Sequence, residues 1–163
     1  MAGVEPWHIK IVDNITKALG TAFGDRPCEP YPTDMRIRSK VGELYTYPDV
    51  SALCGEPKYD FSNRSSTLLN PQVIFEVLSP STEAFGRRDK FARYRKLESF
   101  TDYVLVASEF MRVEHFVRQD NGTWNLTEYD QPDKRLPLHA LGCELTLAGI
   151  YRRVVFPSEL IGD

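Results

Sequence analysis

From His8 to Phe23 the apolar residues Ile11, Val12, Ile15, Leu19 and Ala22 recur at steps of three and four. That spacing predicts an amphipathic helix. His8 lies four residues before Val12, so it falls on the same face in the first turn. The stretch from Gly24 to Pro32 is rich in Pro and Gly and reads as a turn region. "DMRIRS" alternates Met35 and Ile37 with charged neighbours, as a half-exposed strand does. Gly42 marks a turn. Tyr47 to Cys54 reads as a more buried strand, with Pro48 at its start or on a bulge because proline cannot donate to a ladder. Residues 55–70 are polar and predict the least structured stretch, a loop over a site.

"PQVIFEVLSP" is the most apolar strand pattern in the chain and predicts a central position in a sheet. A helix is expected from about Gly86 to Leu97. "DYVLVAS", "RVEHFVRQ" and "TWNLTEYD" then read as three strands, the last two joined by a "DNG" hairpin turn. "GCELTLAGIY" supplies a short final strand. The order helix, strands, helix, strands predicts an α/β sheet with helices packed on it, not a regular doubly wound repeat.

Composition sets bounds on this picture. A chain of 163 residues with 42% hydrophobic and 26% charged residues is ordinarily globular. The formal net charge of -3 excludes a constitutively basic nucleic-acid coat, so any nucleic-acid contact must come from a local patch. Cys28, Cys54 and Cys143 are odd in number and far apart, without zinc-ligand spacing. Three reduced thiols in a cytoplasmic protein are expected, without a disulfide framework. No stretch approaches a membrane span.

Two carboxylates stand out. In an extended strand Ile74, Glu76 and Leu78 share one face, and Val73, Phe75 and Val77 the other. Glu76 is therefore half buried, which costs several kcal/mol unless it is paired or bound to a cation. Asp49, Ser51 and Leu53 likewise share a face. Asp49 either ends the turn after Pro48 or, with Glu76, shares a divalent cation; hard oxygen ligands select magnesium, manganese or calcium. On the following helix Lys90 lies inside the apolar stripe of Phe91, Tyr94 and Leu97, while Arg88, Arg95 and Lys96 lie outside it. An inward lysine wants a carboxylate or an anionic ligand. A plain Lys90–Glu76 ion pair satisfies that, and so does an Asp, Glu and Lys group around one metal, which suits phosphodiester hydrolysis. Arg87 and its basic neighbours contact further phosphates or form a solvated surface.

"YPDVSALCG", "NPQVIFEVLSPSTEAFGRRDKFARYRKL" and "DYVLVAS" together resemble the Uma two family of bacterial restriction-endonuclease relatives, within the PD-(D/E)XK nuclease superfamily. The resemblance implies a restriction-endonuclease-like core, a mixed central β-sheet flanked by helices. It carries Asp49 onto the motif aspartate and Glu76 onto the acid of the (D/E)XK strand. Leu78 stands at the usual lysine position, and Lys90 takes the helical lysine position of this family. Tyr94 matches a recurring aromatic position, and the Val77 carbonyl is implied as a further metal ligand. Gly86 departs from an acid that the family often has there. The family usually carries a segment with a helix and a hairpin of the kind "ELIDGEI" before "MAG". One domain over residues 1–163, without that segment, is therefore expected.

These readings converge on a metal-dependent endonuclease that hydrolyses DNA with Mg2+ or Mn2+. Asp49, Glu76 and Lys90 are its catalytic group, Asp49, Glu76 and Val77 its metal ligands, and His8, Arg87 and Tyr94 its substrate contacts. DNA and a second copy of the chain are the expected partners. The alternative is a catalytically inactive nuclease-fold protein that binds nucleic acid or a partner protein.

Overall fold

The computed structural model describes residues 4–38, 45–62, 66–80, 82 and 86–161. The expected turn at Gly42 lies outside the described residues. Helix α1 (Pro6–Phe23) opens with proline in its first turn, where no intrahelical N–H is needed. Its buried residues are Ile11, Ile15, Leu19 and Phe23, the stripe that the spacing predicts.

The central sheet has six strands in the order β1-β3-β6-β7-β8-β9. These are β1 (Cys28–Pro32), β3 (Val50–Cys54), β6 (Val73–Leu78), β7 (Asp102–Ala107), β8 (Val113–Arg118) and β9 (Trp124–Tyr129). Only β6 and β7 pair in parallel; the other neighbours are antiparallel, so the sheet is mixed. The apolar strand β6 is central, as its pattern requires. The faces also separate as the alternation predicts. Val73, Phe75, Val77, Val50 and Ala52 join the α1 side of the core, while Ile74, Leu53, Tyr103 and Leu105 join the other.

On the α1 side, a hairpin of β10 (Arg135–Leu138) and β11 (Cys143–Thr146) leads into the short helix α3 (Leu147–Ile150). Asn14 on α1 donates to the carbonyls of Ile150 and Arg152, both at 2.8 Å, and ties α1 to this end of the chain. The opposite side is aromatic. Phe91 stacks on Tyr103 with ring centroids 4.9 Å apart and contacts Phe100, Phe116 and Trp124. A π-helical turn, Gly86–Lys90, runs into α2 (Phe91–Tyr94) over this face. The expected single helix to Leu97 is thus shorter and irregular at its start. A last helix, α4, spans Pro157–Ile161.

Four expectations are corrected. Residues 28–32 form an edge strand, because an edge leaves one side of the backbone unpaired and tolerates Pro30 and Pro32. "DMRIRS" contributes only β2 (Arg36–Ile37), whose two residues are both buried, in a small sheet with β4 (Tyr59–Asp60) and β5 (Thr67–Leu68). The stretch expected to be a loop therefore carries two short strands. Finally, Cys28 and Cys54 face each other in the β1–β3 register and form a disulfide. Their separation of 26 residues along the chain hid a contact that strand pairing creates. Cys143 is a free thiol. The thiol argument for a cytoplasmic setting falls with this disulfide. Among the described residues no helix is long and apolar enough to cross a membrane.

Ile15 is fully buried between α1 and the sheet. Ile15→Ala should cost about 2–5 kcal/mol of stability, read from urea unfolding.

Candidate metal centre

Asp49 sits one residue before β3, just beyond the Val50↔Phe75 pair of the β3–β6 ladder. That position brings its side chain to the C-terminal half of β6. The Val77 N–H donates to Asp49 Oδ2 at 2.7 Å. The other oxygen, Oδ1, lies 3.4 Å from His8 Nε2, in the first turn of α1. His8 and Asp49 are both mostly buried, with side chains 24% and 17% exposed.

Glu76 is 2% exposed. Lys90 Nζ lies 3.3 Å from its Oε2, and the Tyr94 hydroxyl donates to its Oε1 at 3.1 Å. Lys90 and Tyr94 are one helical turn apart, so they project from the same side of the chain. One carboxylate thus takes a different donor on each oxygen. Tyr94 is also held by Thr46, a partner that sequence reasoning missed and that no pattern near Thr46 signals. Burial raises the Tyr94 hydroxyl pKa far above its usual value, and the Glu76 charge adds to that. The hydroxyl therefore stays a donor.

Burial pushes the Glu76 carboxyl up from an ordinary 4.5 to about 7; Lys90 opposes this and the Asp49 carboxylate reinforces it. Two carboxylates on adjacent strands, one of them desolvated, make a place where added positive charge is favoured. Among the described residues no three His, Cys, Asp or Glu side chains gather as a metal-binding group. The donor set that the family resemblance implies is two carboxylates and the Val77 carbonyl oxygen. It fits a hard cation of the magnesium type, which keeps several waters and needs one or two carboxylates from the protein, and does not fit zinc.

The expected residues therefore fall into three groups. Asp49, Glu76, Val77, Lys90 and Tyr94 come together, and His8 joins them through Asp49. Arg87 lies in the π-helical turn, and its side chain is outside the described residues. Arg88, Arg95 and Lys96 are exposed, with the Arg95 guanidinium over the Phe91 ring at 4.9 Å. Ser51, on the Glu76 side of the sheet, has a buried hydroxyl with no hydrogen-bond partner among the described residues.

Sequence reasoning missed one polar pair entirely. His115 Nε2 and Asp102 Oδ2 are 2.6 Å apart and buried on the α1 face. Strand alternation puts both on the face of Val104 and Val106, and that was the available signal. Beside the centre, a cleft of about 250 Å³ opens between the start of α1 and the end of β6. His8, Val77, Ser79, Ser108 and Glu109 line it.

The mixed sheet brings an Asp and a Glu from neighbouring strands together with a lysine beside them. Comparison with known proteins gives the family and the fold. The sequence profile of the family described as "Uma2: Putative restriction endonuclease" matches residues 1–148, and the chain belongs to that family. Two relatives come from Synechocystis sp. "Uncharacterized protein sll1609" is 35% identical over 128 residues, which is 78% of this chain and 72% of that protein. "Uncharacterized protein slr1290" is 36% identical over 131 residues, 79% of this chain and 66% of that one. The chain therefore spans about two thirds to three quarters of these relatives. A crystal structure from Anabaena variabilis, titled as a "putative nuclease belonging to DUF820", superposes with a TM-score of 0.71. It is 16% identical, covering 94% of this chain and 85% of that one, and it shows that the fold is shared.

The raised Glu76 value fixes the sign of a pH effect. The folded protein holds this proton more tightly than the unfolded chain does. The stabilisation is fully present below about 4.5 and is lost as pH rises through about 7. The loss should be on the order of 3 kcal/mol. Urea unfolding in EDTA between about pH 5 and 8 should show it in the wild type and not in Glu76→Gln.

Proposed function

We propose that this protein is a metal-dependent endonuclease that hydrolyses DNA phosphodiester bonds. One observation carries the reading: Asp49 and a desolvated Glu76 meet from adjacent strands, with Lys90 on the same carboxylate. A salt bridge alone needs Lys90 and Glu76 but gives no reason for Asp49 to raise the charge density beside them.

Asp49, Glu76 and the Val77 carbonyl would hold Mg2+ or Mn2+. Such an ion supplies Lewis acidity toward a phosphate oxygen and lowers the pKa of bound water. Tyr94 fixes Oε1 of Glu76, which leaves Oε2 directed toward Lys90. The Lys90 ammonium can then act on charge that develops on the phosphate oxygens as water attacks phosphorus and the leaving oxygen departs. His8 orients Asp49 through Oδ1 and reaches the cleft, where it can contact a phosphate. Arg87 is assigned to the flanking phosphates on sequence grounds. Because the protein's net charge is -3, DNA binding must depend on this local cationic group and fall steeply with salt. Cutting both strands suits a two-fold pair of sites, which makes a homodimer part of the reading.

The test is cleavage of supercoiled plasmid with Mg2+ or Mn2+, alongside thermal melting with and without each cation. Asp49→Asn, Glu76→Gln and Lys90→Ala should each lower the cleavage rate by about a hundredfold or more. The cation should raise the melting temperature of the wild type and not that of Glu76→Gln. A cation shift without cleavage of any DNA would favour the catalytically inactive binding protein. A wild type that neither shifts nor cleaves would leave only the ion pair.

A further inference from the structure

The two edges of the central sheet differ. At β1, Pro30 and Pro32 remove backbone donors. At β9, the other edge, the sequence "WNLTEY" has no proline and no lysine or arginine. Four of its six residues are exposed, including Leu126 at 45%.

The hydrogen-bond alternation shows which backbone groups of β9 point outward. Gln119 N–H donates to Thr123 O at 2.7 Å across the hairpin, so Gln119 and Thr123 form a bonded pair. Alternation by two makes Val117/Asn125, His115/Thr127 and Val113/Tyr129 the bonded pairs of β8 and β9. The β7 side agrees: Arg118 N–H donates to Thr101 O at 2.8 Å, so Arg118 faces β7 and not β9. Trp124, Leu126 and Glu128 therefore turn their N–H and C=O groups away from the sheet.

We propose that β9 pairs antiparallel with β9 of a second copy of this chain, with the two-fold axis at Leu126. In that register Leu126 faces Leu126 of the second copy, and Trp124 faces Glu128. All three outward residues then find outward residues, giving about six backbone hydrogen bonds, two for each facing pair. The side chains agree as well. The exposed leucines cover each other, Asn125 faces Thr127, and no two like charges are opposed. A shift that set Glu128 against Glu128 would cost that complementarity.

Antiparallel neighbours present their side chains to the same face, so the sheet becomes twelve strands with both Glu76 residues on one face. Seven strand spacings separate β6 from its copy, about 34 Å along the sheet. Strand twist of about 20° per spacing turns the two Glu76 faces well away from each other over that distance, so the pairing stands apart from the nuclease reading.

The test uses the full chain without DNA or cation, so its outcome is independent of nuclease activity. Leu126→Pro removes the outward N–H at the two-fold axis and leaves the β8–β9 ladder intact, since that N–H does not enter it. Leu126→Lys opposes two charges at the same point. Sedimentation across a hundredfold concentration range should show a concentration-dependent dimer for the wild type. Both variants should sediment as monomers and melt cooperatively. Amide exchange of the wild type should slow at Trp124, Leu126 and Glu128 as concentration rises, a readout that does not depend on either variant folding. A wild type that stays monomeric over the range would overturn the proposal. So would a dimer that survives in either folded variant, or exchange at these three amides that ignores concentration.

Discussion

The carboxylate of Glu76 is the constraint around which one side of this protein is organised. It lies on the central strand between two apolar neighbours, 2% exposed, where a bare charge would cost several kcal/mol. Lys90 and Tyr94 each take one of its oxygens, and both come from the segment that crosses the aromatic face. That crossing segment is in turn held by Phe91 and its ring contacts with Tyr103, Phe100, Phe116 and Trp124. Aromatic packing sets where the helix sits, and the helix sets where the lysine sits.

The α1 side supplies the other half. Its apolar stripe docks the helix on Val50, Phe75 and Val77, and this places His8 at the mouth of the site. Asp49 is fixed twice, by His8 on one oxygen and by the Val77 N–H on the other. Both carboxylates are thus held in place by their own neighbours.

The sheet also separates functions by face and by edge. The β1 edge is blunted by proline and tied to β3 by the Cys28–Cys54 disulfide. The β9 edge has no such device. The α1 face holds the buried Asp102–His115 pair, on the opposite side of the sheet from Glu76, where a 2.6 Å contact joins both groups inside the core.

Much of this was legible in the sequence, and the reason is periodicity. Period two along "VIFEVL" and "DVSALC" fixed which residues share a face, and period 3.6 put Lys90 with Tyr94 on the inner side of its helix. Those patterns depend only on local backbone geometry. Other features depend on which strand lies beside which, and local pattern does not encode that. The 26-residue separation of Cys28 and Cys54 closes only because β1 pairs with β3. Asp102 meets His115 only because β7 pairs with β8. The proline-rich stretch became a strand because its place at the edge excused the missing donors, and the polar stretch 55–70 gained two short strands because β5 pairs with β2 and β4 pairs with β5. Sequence by itself determined the faces and which charged residues share them; tertiary structure decided the pairings, since long-range contacts are set by the whole core rather than by neighbours along the chain.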